Sequence, residues 1–259
     1  MKRILVLTLM IVCAGFTIQS CKKDNKTTQG RMEVRMTDSP GDFVALNVEI
    51  VKIEAYLQNS GWVTINESSQ EVNIMTLTNG AEVTLVSATT VQPGTYTKLK
   101  LTFSGENSLT FNGANGSNTV NLSFGSSFQG QVEVPIKCTV NSGVTASILL
   151  DFNVGSSIAQ SGGSYTLNPV IAEIVDPSTG VQGQVSGTSQ AAISLSNASY
   201  NASTFINSNG FFMIKGVPDG TYTLKIEAKG QGEVVASQKS IQDVTITKGQ
   251  IKSLGSIQI

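Results

Sequence analysis

The chain has 259 residues, with 17 Lys and Arg against 18 Asp and Glu and no histidine. So even a balance gives nucleic acid and anionic membrane surfaces no electrostatic handle. Without histidine, the usual general base for a serine or cysteine nucleophile is missing, and so is the commonest zinc ligand. No glycine-rich loop leads into a helix, and no Asp or Glu falls in a recognisable catalytic phrase. The expectation is a protein that is not an enzyme and takes no cofactor.

The first 20 residues read as a signal peptide. Lys2 and Arg3 precede an apolar run over 4–18, broken only by Thr8, Gly15 and Thr17. About 15 residues is short of the roughly 20 that a spanning helix needs. Ile18-Gln19-Ser20-Cys21 resembles a lipobox, with an aliphatic residue three before the cysteine and a small one directly before it. Gln19 departs from the commonest pattern. Lipidation of Cys21 is therefore expected, with the lipid membrane as its partner; ordinary secretion with a structural cysteine is the alternative. Cys13 leaves with the signal and Cys21 is consumed, so Cys138 stands alone and no intramolecular disulfide is available. Residues 21–30 are then the lipidated cysteine and a tether without apolar side chains, about 30 Å at full extension. Lys22, Lys23 and Asp24 look like tracts that route lipoproteins to the outer face of the outer membrane, although a solvated linker explains them equally. The expected location is the cell envelope, at the outer membrane, with the face left open.

From residue 31 onward period-two alternation dominates and no amphipathic helix is found. Met32, Val34 and Met36 share a face. Val44, Leu46, Val48 and Ile50 share one parity while Val51, Ile53, Ala55 and Leu57 share the other, which predicts a β-bulge at Ile50-Val51. Asn59-Ser60-Gly61 turns the chain into a return strand starting at Trp62. Leu99, Leu101 and Phe103 should point inward. Val132, Val134, Ile136, Cys138 and Val140 form a further face, and Pro135 on the opposite parity predicts an edge strand. Strands over 144–154 and 165–175, with a helical turn near 157–160, complete a β-rich domain over 31–176. After the linker Asp176-Pro177-Ser178-Thr179-Gly180, residues 177–259 carry short strands with turns every 8 to 12 residues, the rhythm of a small sandwich. Both halves contain Gly-Thr-Tyr-Thr behind a proline turn, at 94–97 and 220–223; a tyrosine clamping each sandwich corner accounts for it. The fold class expected is all-β: two β-sandwich-like domains in tandem behind a lipoprotein signal peptide and flexible tether.

Met36-Thr37-Asp38-Ser39-Pro40-Gly41-Asp42, Gly61-Trp62-Val63, Thr78-Asn79-Gly80, Pro93-Gly94-Thr95-Tyr96 and the closing Tyr165-Thr166-Leu167-Asn168-Pro169-Val170-Ile171 make the first half resemble the bacterial domain of unknown function 4382. That resemblance implies a β-rich domain of exported lipoproteins. Gly183-Gln184-Val185, Ala192-Ile193-Ser194-Leu195, Asn209-Gly210-Phe211-Phe212 and Gly216-Val217-Pro218-Asp219-Gly220-Thr221-Tyr222 make the second half similar to the carboxypeptidase-regulatory-like, transthyretin-type sandwich. Its carbohydrate-binding-like fold implies glycan binding at the level of class only.

Three candidates follow. Asp38 and Asp42, flanking Ser39-Pro40-Gly41, are a metal candidate for calcium, although turn capping by Asp38 or Ser39, with Pro40 setting the angle and Gly41 relaxing it, explains them as well. Trp62, with Tyr56 on the preceding strand, is a candidate sugar-stacking platform or simply a core clamp. Cys138 sits on an uninterrupted apolar face and reads as a buried thiol. The function expected is display of a binding or assembly surface at the cell envelope, with a glycan or another envelope protein as partner. The alternatives are a structural or adhesive subunit of a surface assembly and, third, an envelope hydrolase.

Overall fold

The computed structural model describes residues 29–39, 41–113, 116–229 and 235–259. The expected signal peptide, Cys21 and Pro40 lie outside these residues. What is described is almost all strand, in two β units that follow one another along the chain. In the first unit, β1 (Gly30–Ser39), β5 (Val83–Val91), β10 (Thr145–Asn153) and β13 (Ile171–Ile174) form a four-stranded sheet in the order β13-β10-β1-β5. A nine-stranded sheet faces it. It contains β2 (Ala45–Leu57), β3 (Gly61–Asn66), β4 (Gln70–Asn73), β6 (Gly94–Phe103), β7 (Asn107–Gly113), β8 (Gly116–Phe124), β9 (Gln131–Val140), β11 (Ile158–Ser161) and β12 (Ser164–Leu167). Alternation explains the layering: Met32, Val34, Met36 and Phe152 from the smaller sheet share one core with Leu46, Ile53, Leu99 and Leu101 from the larger.

The second unit is a smaller pair of sheets with its own core. β14 (Gly180–Ser186), β17 (Phe211–Lys215) and β20 (Ile251–Gln258) run in the order β17-β14-β20. β15 (Ala191–Ser196), β16 (Asn201–Phe205), β18 (Gly220–Lys229) and β19 (Val235–Ile246) run in the order β16-β15-β18-β19. Val181, Leu195, Phe212, Leu224 and Ile226 fill the space between them. The repeated Gly-Thr-Tyr phrase does the same job in both units. The Tyr96 hydroxyl donates to the Gln92 carbonyl and the Tyr222 hydroxyl to the Pro218 carbonyl, each at 2.8 Å and each four residues back. A buried phenol must place its hydroxyl, and a turn carbonyl at the corner accepts it.

Several expectations are met residue by residue. In β2 the buried parity passes from Leu46, Val48 and Ile50 to Ile53, Ala55 and Leu57, and the pairing with β6 slips between Ile50 and Lys52, so a bulge is centred on Val51. Val51 is thereby only half-buried, and Val44 lies outside the strand and is exposed. β9 is an edge strand, with Pro135 outward and exposed. Its Lys137 amide is taken up by the Glu173 carboxylate at 2.9 Å, which occupies an edge donor that could otherwise recruit another strand.

Others are corrected. The single strand expected over 165–175 is two, because Asn168-Pro169-Val170 passes the chain from one sheet to the other; Pro169 has no amide to give a ladder. The helical turn is Val154–Ser157, α1, capped by the Asn153 side chain accepting from the Ser156 amide, and β11 occupies most of the stretch where the turn was expected. Gly41 does not serve a positive φ. A Cβ there would lie 2.7 Å from Val154 and 3.1 Å from the Phe43 ring, so close packing explains the glycine.

Candidate functional site

Among the described residues, two regions bring together polar and aromatic side chains that could meet a ligand. The first is the outer face of the nine-stranded sheet. The hairpin through Asn59 (φ 67°) and Gly61 (φ 95°) brings Trp62 on β3 opposite Tyr56 on β2. Their rings meet edge to face, 5.2 Å between centroids at 71°. The Lys100 ammonium sits 4.3 Å from the Trp62 ring centroid and 2.9 Å from Glu54, which also meets Lys52 at 3.2 Å. The hydrogen bond from Lys100 leads the influences that hold the Glu54 carboxyl below its usual range. Two cations thus share one carboxylate in this patch, and Trp62 and Tyr56 are both half-buried.

The second is the junction of the two units. Asn79 (φ 59°) and Gly80 (φ 76°) reverse the chain between the 3-10 turn Ile74–Leu77 and β5. The buried Thr37 hydroxyl lies 2.9 Å from the Leu77 carbonyl and 2.8 Å from that of Ala81, fixing this loop to β1. From across the junction, the Lys215 ammonium donates to the Gly80 carbonyl at 3.2 Å and to Glu82 at 2.7 Å. Glu82 also receives Arg35 from β1, so one carboxylate clamps a cation from each unit. The loop approaches so closely that a Cβ on Gly80 would lie 2.7 Å from the Met213 sulfur. Beside it, a Cβ on Gly216 would lie 2.6 Å from Ile174.

Next to this clamp the units enclose a cleft of about 450 Å3, within the range of small-molecule sites. Asp38 and Asp151 from the first unit and Tyr200, Thr204 and Lys215 from the second are among its walls. Asp38 is 7 % exposed, and neither carboxyl oxygen completes a well-formed hydrogen bond, the nearby Val154 amide included. Burial first, and the neighbouring Asp151 charge second, push its pKa from 3.8 to about 8, with the Val154 amide pulling the other way. Burial, with Asp151 and Tyr222, likewise pushes the Tyr200 phenol up to about 12.

The expected site residues fall in different places. Asp38 lines the cleft, whereas Asp42 is exposed and pairs with Lys229 at 3.1 Å. Among the described residues no group of three or more His, Cys, Asp or Glu side chains is arranged to hold a metal ion. Trp62 and Tyr56 are brought together, away from the cleft. Cys138 is a buried free thiol, pushed up to about 11 by burial and then by Glu173. Asp151, Glu82, Tyr200 and Lys215 come from sequence that carries no motif. A faint signal exists for Asp151, one acid in the otherwise apolar run Ile148-Leu149-Leu150-Asp151-Phe152.

Two sheet-on-sheet units in series define a tandem β-sandwich scaffold. Residues 29–169, more than half of the chain, match the model of Domain of unknown function (DUF4382), and the chain belongs to that family; a further β-rich region follows. No curated protein matches it. Among solved structures, a leucine-rich repeat protein from Bacteroides thetaiotaomicron is similar at 12 % identity and TM-score 0.21, over 90 % of this chain and 26 % of that one. The TIE protein of Bacillus anthracis is similar at 14 % and 0.24, over 87 % and 38 %. The shaft pilin spaA of Lactobacillus rhamnosus GG is similar at 10 % and 0.23, over 89 % and 98 %. The chain thus spans 26 % and 38 % of the length of the first two. At these scores no argument about function rests on any of the three.

Proposed function

We propose that this DUF4382 protein is a non-enzymatic lipoprotein, held at the outer membrane by lipid on Cys21, whose tandem β units present a glycan-binding surface. The lipobox-like Ile18-Gln19-Ser20-Cys21 and the polar tether that follows it over 22–30 support the anchor. The second unit is read as a carboxypeptidase-regulatory-like sandwich: Phe212 and Ile214 point into its core, and Gly210 lies where a Cβ would meet the Val185 carbonyl at 2.1 Å. The observation that carries the binding reading is the Tyr56–Trp62 pair, prearranged on the outer face of the sheet with Lys100 and Glu54 beside it. A sugar would stack its apolar face on the ring away from Lys100 and give its hydroxyls to the neighbouring charges.

The test uses the full chain on a glycan array. Trp62→Ala lowers the signal at least tenfold while the circular dichroism spectrum stays that of the wild type. A flat array from folded wild-type protein would remove the glycan reading. The anchor is read separately: wild type incorporates labelled palmitate and Cys21→Ser does not.

A second reading, a structural or adhesive subunit, is favoured by β19, a 12-residue strand at a sheet edge whose first six residues are all exposed. Such an edge is a template for strand addition. This reading predicts envelope proteins recovered with the chain after mild crosslinking, and a solitary chain counts against it.

A further inference from the structure

We propose that the glycan received on the outer face of the large sheet is acidic: a linear oligosaccharide whose uronic acid carboxylates meet Lys98 and Lys137. The inference rests on the glycan reading of the Tyr56–Trp62 surface and names the class of sugar. Its first support is the way the strands line up. Tyr56 on β2 is opposite Trp62 on β3 and, on its other side, Lys98 on β6, which in turn is opposite Pro135 on β9. The chain neighbours Ala55, Leu57, Leu99, Val134 and Ile136 are buried, so alternation turns Tyr56, Lys98 and Pro135 outward. The row crosses three strand intervals, about 14 Å at roughly 4.8 Å each. It has two aromatic rings at one end, a cation in the middle and an exposed proline ring at the other. Such a row is long enough for a chain of sugars to lie across the strands.

The second support is charge. On and beside this row, outward positions hold Lys52, Lys98, Lys100 and Lys137 against Glu54 and Glu133. The whole chain carries 17 Lys and Arg against 18 Asp and Glu, so the surplus of cations is local. The other acids of β2 and β4, Glu49 and Glu71, are opposite each other far from the rings. Glu49 comes seven residues before Tyr56, roughly 23 Å away at 3.3 Å per residue.

The four cations are not equally committed. Lys100 is held between the Trp62 ring and Glu54, with its side chain 17 % exposed. Lys98 and its partner Glu133 lie 2.8 Å apart and are each 48 % exposed, so water already competes with their bond. Lys137 is exposed and makes no ion pair among the described residues. It lies two residues along β9 from Pro135 and faces the same way. A ligand carboxylate can therefore replace Glu133 at Lys98 and give Lys137 a partner, both as charge-assisted hydrogen bonds. A neutral sugar would use the rings and leave both cations as they are.

The experiment is calorimetric titration of the full chain with short oligomers of galacturonate, mannuronate and hyaluronan, each beside its methyl-esterified, neutral counterpart. At least one acidic oligomer should bind about tenfold more tightly than its ester, and lose that advantage as ionic strength rises from about 0.05 to 0.5 M. Lys98→Met and Lys137→Met should each weaken the acidic oligomer about fivefold and leave the ester unchanged, whereas Glu133→Gln should strengthen it. All three side chains are exposed, and circular dichroism checks that the variants keep the wild-type fold. The proposal is overturned by an ester that binds as tightly as its acid, by binding insensitive to salt, or by lysine variants that bind like wild type. Neutral glycans bound on the array, with no uronate oligomer bound in the calorimeter, would overturn the acidic class and leave the Trp62 reading standing. A flat array would remove both.

Discussion

On the outer face of the large sheet, Glu54 lies 2.9 Å from Lys100 and 3.2 Å from Lys52, and its carboxyl is held below its usual range. In the cleft, neither Asp38 oxygen completes a well-formed hydrogen bond and the carboxyl is pushed up to about 8. Both are acids on strands of one β unit, and their surroundings drive them in opposite directions. On the outer face opposite charges find each other, and each such pair contributes about 1 kcal/mol or less. Inside, the desolvation of one carboxylate outweighs any such pair. The first arrangement is ordinary folding; the second opposes folding once the carboxyl ionises.

The largest expected effect breaks this contrast at its costly end. A folded-state pKa above the unfolded value means that the native chain holds the Asp38 proton more tightly between about pH 4 and 8. Stability contributed by this group is therefore greatest below the unfolded pKa and falls as pH rises through the folded one. Asp38→Asn removes that fall, and at pH 8 the variant should exceed wild type by about 3 kcal/mol or more in urea unfolding. The two should converge near pH 4, and equal stabilities at pH 8 would contradict the account.

An intermediate effect is expected at the clamp. Glu82 is 16 % exposed and serves Arg35 and Lys215, from different units. Glu82→Ala leaves both cations half-buried without it, at a cost of about 1–3 kcal/mol. Calorimetric unfolding should then show separate transitions for the two units where wild type shows closer coupling. The smallest effect belongs to the outer face: Lys100→Ala removes a cation over Trp62 but leaves Glu54 its Lys52 partner, and should cost about 1 kcal/mol or less. A larger loss there than at Glu82 would invert the comparison.

The sequence makes some of this legible and hides the rest for physical reasons. Period two reveals β1, β2, β6 and β9 because one face of each is buried, and even the Val51 bulge shows as a change of parity. The β7–β8 hairpin is harder to see, since most of β8 is exposed and its residues, Ser117, Asn118, Thr119 and Asn121 among them, carry little apolar alternation. β16 is short and follows an Asn-Ala-Ser tract that reads as loop. The paired tyrosine corners are visible because a local phrase repeats, and local geometry is what a phrase encodes. The cleft is not local. Asp38 is conspicuous as a turn residue, yet its shifted carboxyl feels the charge of Asp151, more than a hundred residues on, and the cleft it lines takes walls from both units. Trp62 and Tyr56 can be paired from the hairpin alone, whereas Glu82 and Lys215 meet only once both units are folded and docked.

The most direct measurement is the titration of Asp38 in the full chain, followed by carbon-13 NMR of its carboxyl resonance between pH 3 and 10. The account predicts a midpoint near 8. A midpoint below about 5, in the ordinary carboxylate range, would mean that Asp38 is solvated or paired in solution and would contradict it.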